Sequence, residues 1–185
     1  TGETPALPPA FAAHLDWLKG NGKAALAELA LDQLRAVPPL APRELAGPVG
    51  ERDEYRTRPR GRIRIEAETE TGLHLAIAAV LATGNRFVVD DEPVVAALPE
   101  PVRAAFDRDG DSVAAVLFEG GGDALIRLRT ALAGQDGPIV PVHAVSPEGL
   151  AAGREVFPLE MLVEEVSIST NTAAAGGNAS LMTIG

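Results

Sequence analysis

The sequence predicts an α/β protein: a Rossmann-like, mostly parallel sheet with helices on both faces, joined by a β-flap and an N-terminal helical segment. Three observations predict it. From about Ile63 onward, short apolar runs alternate with Ala/Leu-rich helical stretches, the rhythm of βαβ units. Hydrophobic residues make up 46% of the chain but aromatics only 4%, so the core must be built from Ala, Val, Leu and Ile, which suits parallel strands buried under helices. Between about Arg58 and Glu70, charged residues recur at every second position, the period of a strand.

Taken in order, residues 1–45 read as a helical linker segment. Pro8 and Pro9 open a helix over Ala10 to Leu18, since proline fits a first helical turn. Gly20-Asn21-Gly22 interrupts it. A second helix runs from about Lys23 to Ala36 with Leu26, Leu29, Ala30 and Leu34 on one face, and Pro38-Pro39 ends it. Residues 46–65 and 166–185 read as a β-flap and a docking tail, and 63–165 as the Rossmann-like domain. Gly47-Pro48-Val49-Gly50 signals a turn. Arg58, Arg60, Arg62 and Arg64 then fall on one face of a strand, with Glu66, Glu68 and Glu70 continuing the alternation in the opposite sign. Leu73 to Thr83 is a helix with Gly84-Asn85 at its end. Arg86 to Asp90 is a short strand, and Pro93 to Phe106 is helical but broken by Pro99 and Pro101. Ser112 to Phe118 is a strand, and Gly120-Gly121-Gly122 turns into a helix from Asp123 to Ala133. Ile139 to Val145 is a further strand. Leu159 to Glu165 forms a last short helix, and Val166 to Ser169 alternates as a strand.

Composition excludes several functions. With no cysteine there is no disulfide, thiolate metal site or Cys nucleophile. A net charge of −10 and a pI near 4.7 oppose polyphosphate and nucleic-acid binding. The carboxylates interleaved with the arginine stripe make it a solvated or salt-bridged flap rather than a nucleic-acid face. No apolar run reaches the roughly 18–20 residues that span a bilayer, so no direct membrane insertion is expected. The opening Thr1-Gly2-Glu3-Thr4-Pro5 has neither Met nor a signal-peptide pattern, as expected of a piece of a longer polypeptide.

The motifs that resemble reactive sites fall short. Gly120-Gly121-Gly122 stands where a dinucleotide fold holds a pyrophosphate, but no GxGxxG follows, and Glu119 and Asp123 flank it with repulsive charge. Asp107, Asp109 and Asp111 begin like a calcium loop, yet Gly110 sits at its fourth position and Phe118 at its twelfth, so a solvated acidic turn is expected. His14, His74 and His143 lack metal-ligand partners at close spacing, and no GxSxG elbow accompanies them. No catalytic, cofactor-binding or metal residue is expected in this segment.

The tail from Ser167 to Gly185 carries the most information. A β-like alternation leads into small residues that let a backbone approach a partner closely, followed by the apolar Leu181, Met182 and Ile184. Asn171-Thr172-Ala173-Ala174-Ala175-Gly176-Gly177-Asn178-Ala179-Ser180-Leu181-Met182-Thr183-Ile184-Gly185 closely resembles the C-terminal end of the proline utilization A family, bacterial fusions of proline dehydrogenase with glutamate-semialdehyde dehydrogenase. Gly50 to Tyr55, the helix into Gly84-Asn85, and Asp136 to Val140 are similar to that family's C-terminal domain, so the resemblance covers at least Pro48 to Gly185. Within it, Gly47 to Arg52, Arg58 to Gly61 and Ala78 to Asn85 resemble the cofactor-binding domain of the aldehyde dehydrogenase superfamily, of which this segment looks like a degenerate copy.

The departures from that superfamily concern its chemistry. It attacks with a thiolate, which this chain lacks. Its Trp-Asn-Phe-Pro stretch reads Glu66 to Gly72 here, and its ribose-binding Lys corresponds to Asp90, followed by Asp91 and Glu92. Losing one such hydrogen bond costs about 1–3 kcal/mol. The resemblance therefore implies a non-catalytic domain that packs on the aldehyde dehydrogenase domain of the same polypeptide as a lid over the substrate-channelling cavity. FAD and NAD belong to the parent enzyme and none to this segment. The interface residues it implies are Ser167, Ile168 and Ser169 as a pairing strand, with Asn171, Ala174, Gly176, Gly177, Asn178, Leu181, Met182 and Ile184 in the docked tail. It implies a cytoplasmic protein and leaves open an oligomeric or membrane-peripheral parent. The alternative from another class is a weak, regulatory dinucleotide-binding domain.

Overall fold

The computed structural model describes residues 7–36, 42–47, 50–108 and 112–172. The chain divides into two compact units, Thr1–Pro39 with Pro59–Glu164, and Leu40–Arg58 with Glu165–Gly185.

The first unit is the α/β body. Helices α1 (Pro9–Gly20) and α2 (Ala24–Ala36) lead it. Pro9 occupies the first turn of α1, where its missing N–H costs nothing, and Phe11, His14, Leu15 and Leu18 form the buried stripe. On α2 the deepest residues are Ala27 and Ala30, rather than the leucines beside them, because small side chains let the helix lie close to its neighbour. After them come β3 (Arg62–Ala67), α3 (Glu70–Ala82), β4 (Arg86–Val88), α4 (Glu92–Ala97), α5 (Glu100–Arg103), β5 (Ala115–Glu119), α6 (Gly122–Ala133), β6 (Val142–Val145) and α7 (Pro147–Ala151). A 3₁₀ turn at Leu159–Leu162 closes the body.

The four strands are parallel in the order β4-β3-β5-β6. The β3-to-β4 crossing runs one way along the sheet and the β5-to-β6 crossing the other, so the topological switch point lies between β3 and β5. Register separates the faces. Ile63 and Ile65 stand beside Phe87, Ala115 and Leu117 on a face buried with α3, a helix that is itself buried nearly all round. Arg62, Arg64 and Glu66 occupy the opposite face. There Arg62 and Arg86 share the Asp107 carboxylate at 2.8 and 3.2 Å, and Arg64 contacts Glu66 at 2.6 Å and Asp90 at 2.8 Å. α6 has no fully buried residue.

Asn85 braces the entrance to the sheet. Its side-chain oxygen accepts the Gly61 N–H at 2.8 Å, and its amide donates to Thr83 Oγ1 and to the Leu162 carbonyl, each at 2.8 Å.

The second unit holds β1 (Arg43–Leu45), most of β2 (Glu51–Pro59) and most of β7 (Val163–Asn171), hydrogen-bonded in the order β1-β2-β7. β1 pairs antiparallel with β2, setting Arg43 opposite Tyr55. No residue of this sheet within 43–45, 51–58 or 165–171 is buried.

The arginine alternation needs correction. It is not one strand face. Arg58 belongs to β2, Arg62 and Arg64 to β3, and the break falls at Gly61, whose φ of +123° lies in the region that favours glycine. Asp107 is likewise no solvated turn residue, since its side chain is only 16% exposed between two arginines. Asp109 and Asp111 lie outside the described residues.

Candidate functional site

Ligands of doubly wound sheets bind beyond the carboxyl ends of the strands at the switch point. Here that place is occupied by two of the chain's own carboxylates. Glu119 ends β5 and is 1% exposed. Its Oε2 accepts the N–H groups of Glu68 at 2.8 Å and Thr69 at 2.9 Å, and its Oε1 accepts the Thr69 hydroxyl at 2.7 Å. Thr69 is also the N-cap of α3, its hydroxyl oxygen accepting the Gly72 N–H at 3.0 Å. Glu68 reaches the other way, and its Oε1 accepts the Gly121 N–H at the start of α6 at 3.1 Å. The two crossings thus exchange carboxylates: β5 supplies one to the loop before α3, and that loop supplies one to the loop before α6.

Two glycines make the approach possible. A Cβ at Gly72 would stand 2.5 Å from the Glu119 carboxylate, and one at Gly120 would stand 2.6 Å from Glu68 Oε1. Glu119 was expected to repel an anion above the glycine turn. It is instead turned inward, and Glu68 takes the turn amide. The Glu-x-Glu alternation marks Glu68 only as a strand residue, so its role was not legible. The helix-start signal at Thr69-Glu70 was the available clue. Asp90 is held by Arg64, and Asp91 caps α4 by accepting the Val94 N–H at 3.1 Å.

Of the interface residues expected from the sequence, Ser167, Ile168, Ser169 and Asn171 lie on β7, one edge of the antiparallel sheet among the described residues. Tyr55 donates its hydroxyl to Glu165 at 2.7 Å, Ser169 donates to Glu51, and the Thr172 N–H donates to the Gly50 carbonyl at 2.8 Å. These pairs run in opposite chain directions, so β2 and β7 are antiparallel. Alternation puts Ser167 and Ser169 on the face of Tyr55 and Glu165, and Ile168 with Val166 on the other. The Glu165 carboxylate pushes the Tyr55 phenol pKa up, and the Arg43 guanidinium lies 4.6 Å over the Tyr55 ring. Ala174, Gly176, Gly177, Asn178, Leu181, Met182 and Ile184 lie outside the described residues.

The histidines do not converge on a metal. His14 and His74 come together in the core, while His143 sits partly buried on β6. Among the described residues no group of three or more His, Cys, Asp or Glu side chains could hold a metal ion, and no helix is long and apolar enough to cross a membrane.

Comparison with known proteins defines the class through the fold. A Bradyrhizobium japonicum proline utilization A variant superposes with a TM-score of 0.55 at 19% identity, over 76% of this chain and 20% of that one. The substrate-bound Staphylococcus aureus AldH superposes with a TM-score of 0.50 at 12% identity, over 74% of this chain and 40% of that one. The body is thus an aldehyde dehydrogenase-like α/β fold. In sequence, the chain is 39% identical over 178 residues to the bifunctional protein PutA of Rhizobium meliloti, and 41% identical over 153 residues to that of Escherichia coli K12. These alignments cover 91% and 77% of this chain. The chain is homologous to a segment of PutA and spans 14% and 11% of the length of these two relatives. No family model matches it.

Proposed function

We propose that this chain is a non-catalytic domain of a bifunctional polypeptide that oxidises proline to glutamate. It packs on the aldehyde dehydrogenase domain as a lid over the channelling cavity and supports that domain's activity. The observation that carries this reading is the filled switch point. A dinucleotide there would place its diphosphate against the amides that Glu68 and Glu119 already occupy, and the repulsion between like charges at hydrogen-bond distance would have to be overcome as well. The residues present do not fit a dinucleotide, and no thiol is available as a nucleophile. FAD and NAD are the parent's cofactors and bind elsewhere in it.

What remains useful is surface. Within 43–45, 51–58 and 165–171 this sheet has no buried residue and so no core of its own there, and such sheets gain stability when a face is covered. The occupant is the aldehyde dehydrogenase domain, engaged by Ser167 to Ser169 through strand pairing and by the tail through Asn171, Ala174, Gly176, Gly177, Asn178, Leu181, Met182 and Ile184. Deleting residues 173–185 from the full-length polypeptide tests this. Aldehyde oxidation falls, or the lag of the coupled reaction lengthens, with proline oxidation intact. Unchanged coupled kinetics would refute it.

A further inference from the structure

Where α1 lies on α3, two imidazoles and an indole meet inside the apolar core. His14 is 0% exposed and His74 2% exposed. Their ring centroids are 5.3 Å apart, and the Trp17 ring lies 5.3 Å from His74 and stacks on His14 at 6.1 Å. His14 Nε2 lies 3.3 Å from the His74 carbonyl oxygen, so Nε2 is the donor and Nδ1 carries no proton. Nδ1 of both histidines is buried without a hydrogen-bond partner. In a neutral ring whose Nε2 carries the proton, Nδ1 is only an unfilled acceptor. An imidazolium has two donors and a charge, and an unpaired buried charge is expensive.

The charges around the pair do not relieve this. Glu70 Oε1 is 3.9 Å from His74 Nε2, but Lys23 Nζ holds the same oxygen at 3.1 Å. Lys19 pairs with Glu28 on α2, and Asp16 faces solvent. On α5, which also packs against α1, Arg103 turns back to the Leu98 carbonyl and Glu100 is exposed.

We propose that the His14–His74 pair is an acid-sensitive latch: protonation releases the α1–α2 helical pair from α3 while the parallel sheet stays folded. The helices touch the body chiefly through α3 and α5, whereas Ile63, Ile65, Ala115 and Leu117 form a sheet layer that needs neither histidine. Burial, with His74 adding to it, lowers the His14 pKa to about 4, and burial also lowers that of His74. Both rings therefore bind protons more readily in the released state, and the latch weakens as pH falls below the free-histidine value.

Trp17 is the chain's one tryptophan and touches both rings, so it reports the event directly. Its emission and the amide exchange of each helix and strand are followed in the intact chain from neutral pH to about 4. The expected result is a Trp17 red shift and a roughly tenfold or greater loss of protection in α1 and α2, with β3 and β5 still protected. His14→Phe and, independently, His74→Phe move that transition to lower pH. The proposal is overturned if Trp17 and the β5 amides change together in the wild-type chain, or if the variants that fold keep the wild-type midpoint.

Discussion

The Thr69 hydroxyl donates to Glu119 at 2.7 Å across the switch point of the parallel sheet, joining the end of β5 to the start of α3. With the two backbone N–H groups on its other oxygen, this buried carboxylate holds three donors. A ligand-binding relative of the fold would offer such donors to a ligand, whereas here they close the body on itself.

Replacing Glu119 measures that closure. Glu119→Ala strands two amides and a hydroxyl, and the loss is about 2–4 kcal/mol. Glu119→Gln keeps one acceptor and loses about 1–2 kcal/mol. Urea midpoints at constant slope check both values, and an alanine variant within 0.5 kcal/mol of wild type would contradict the role, that being about the scatter of neutral surface changes.

Glu68 separates occupancy from stability. Its side chain is exposed, so Glu68→Ala costs no more than about 1 kcal/mol. Calorimetric titration of the wild-type chain with NAD gives no dissociation constant below about 100 μM, equivalent to roughly −5.5 kcal/mol. Tighter binding would favour the regulatory dinucleotide-binding alternative.

Asn85 is the brace at the other end of the sheet. Asn85→Ala abandons the Gly61 N–H, the Leu162 carbonyl and the Thr83 hydroxyl together, for a loss of about 2–4 kcal/mol. Thermal unfolding reads it, and an unchanged midpoint would mean that water replaces all three contacts.

Stability also follows pH through His14. Its folded-state pKa of about 4 lies below the unfolded value of 6.5, so the unfolded chain binds more protons between them. Stability is full above pH 6.5 and declines as pH falls toward 4, by at most about 3 kcal/mol from this residue. His14→Phe flattens that limb in chemical denaturation measured across the range. An equally steep limb in the variant would assign it to other groups.

Ile168 tests the strand edge in the full-length polypeptide. Ile168→Asp puts a charge on the β7 face shared with Val166, and aldehyde oxidation drops severalfold while proline oxidation holds. Equal loss of both activities would indicate general misfolding, and no loss would take β7 out of the interface.

What the sequence by itself determined was local. A two-residue alternation marks β3, where one face is buried, and a short apolar run bounded by turn signals marks β5, which is buried on both. Thr69, Gly84 and Pro9 mark helix ends because caps and turns depend on near neighbours. The three exposed residues of β1 carry no such pattern, and α7 hides behind Pro147 in a stretch too short for one. Only the tertiary structure decided which distant polar groups meet: Glu119 with Thr69, Glu68 with Gly121, His14 with His74, and an arginine series split between two sheets at Gly61. Those pairings depend on where the chain returns after 50 residues or more, and periodicity carries no record of that return.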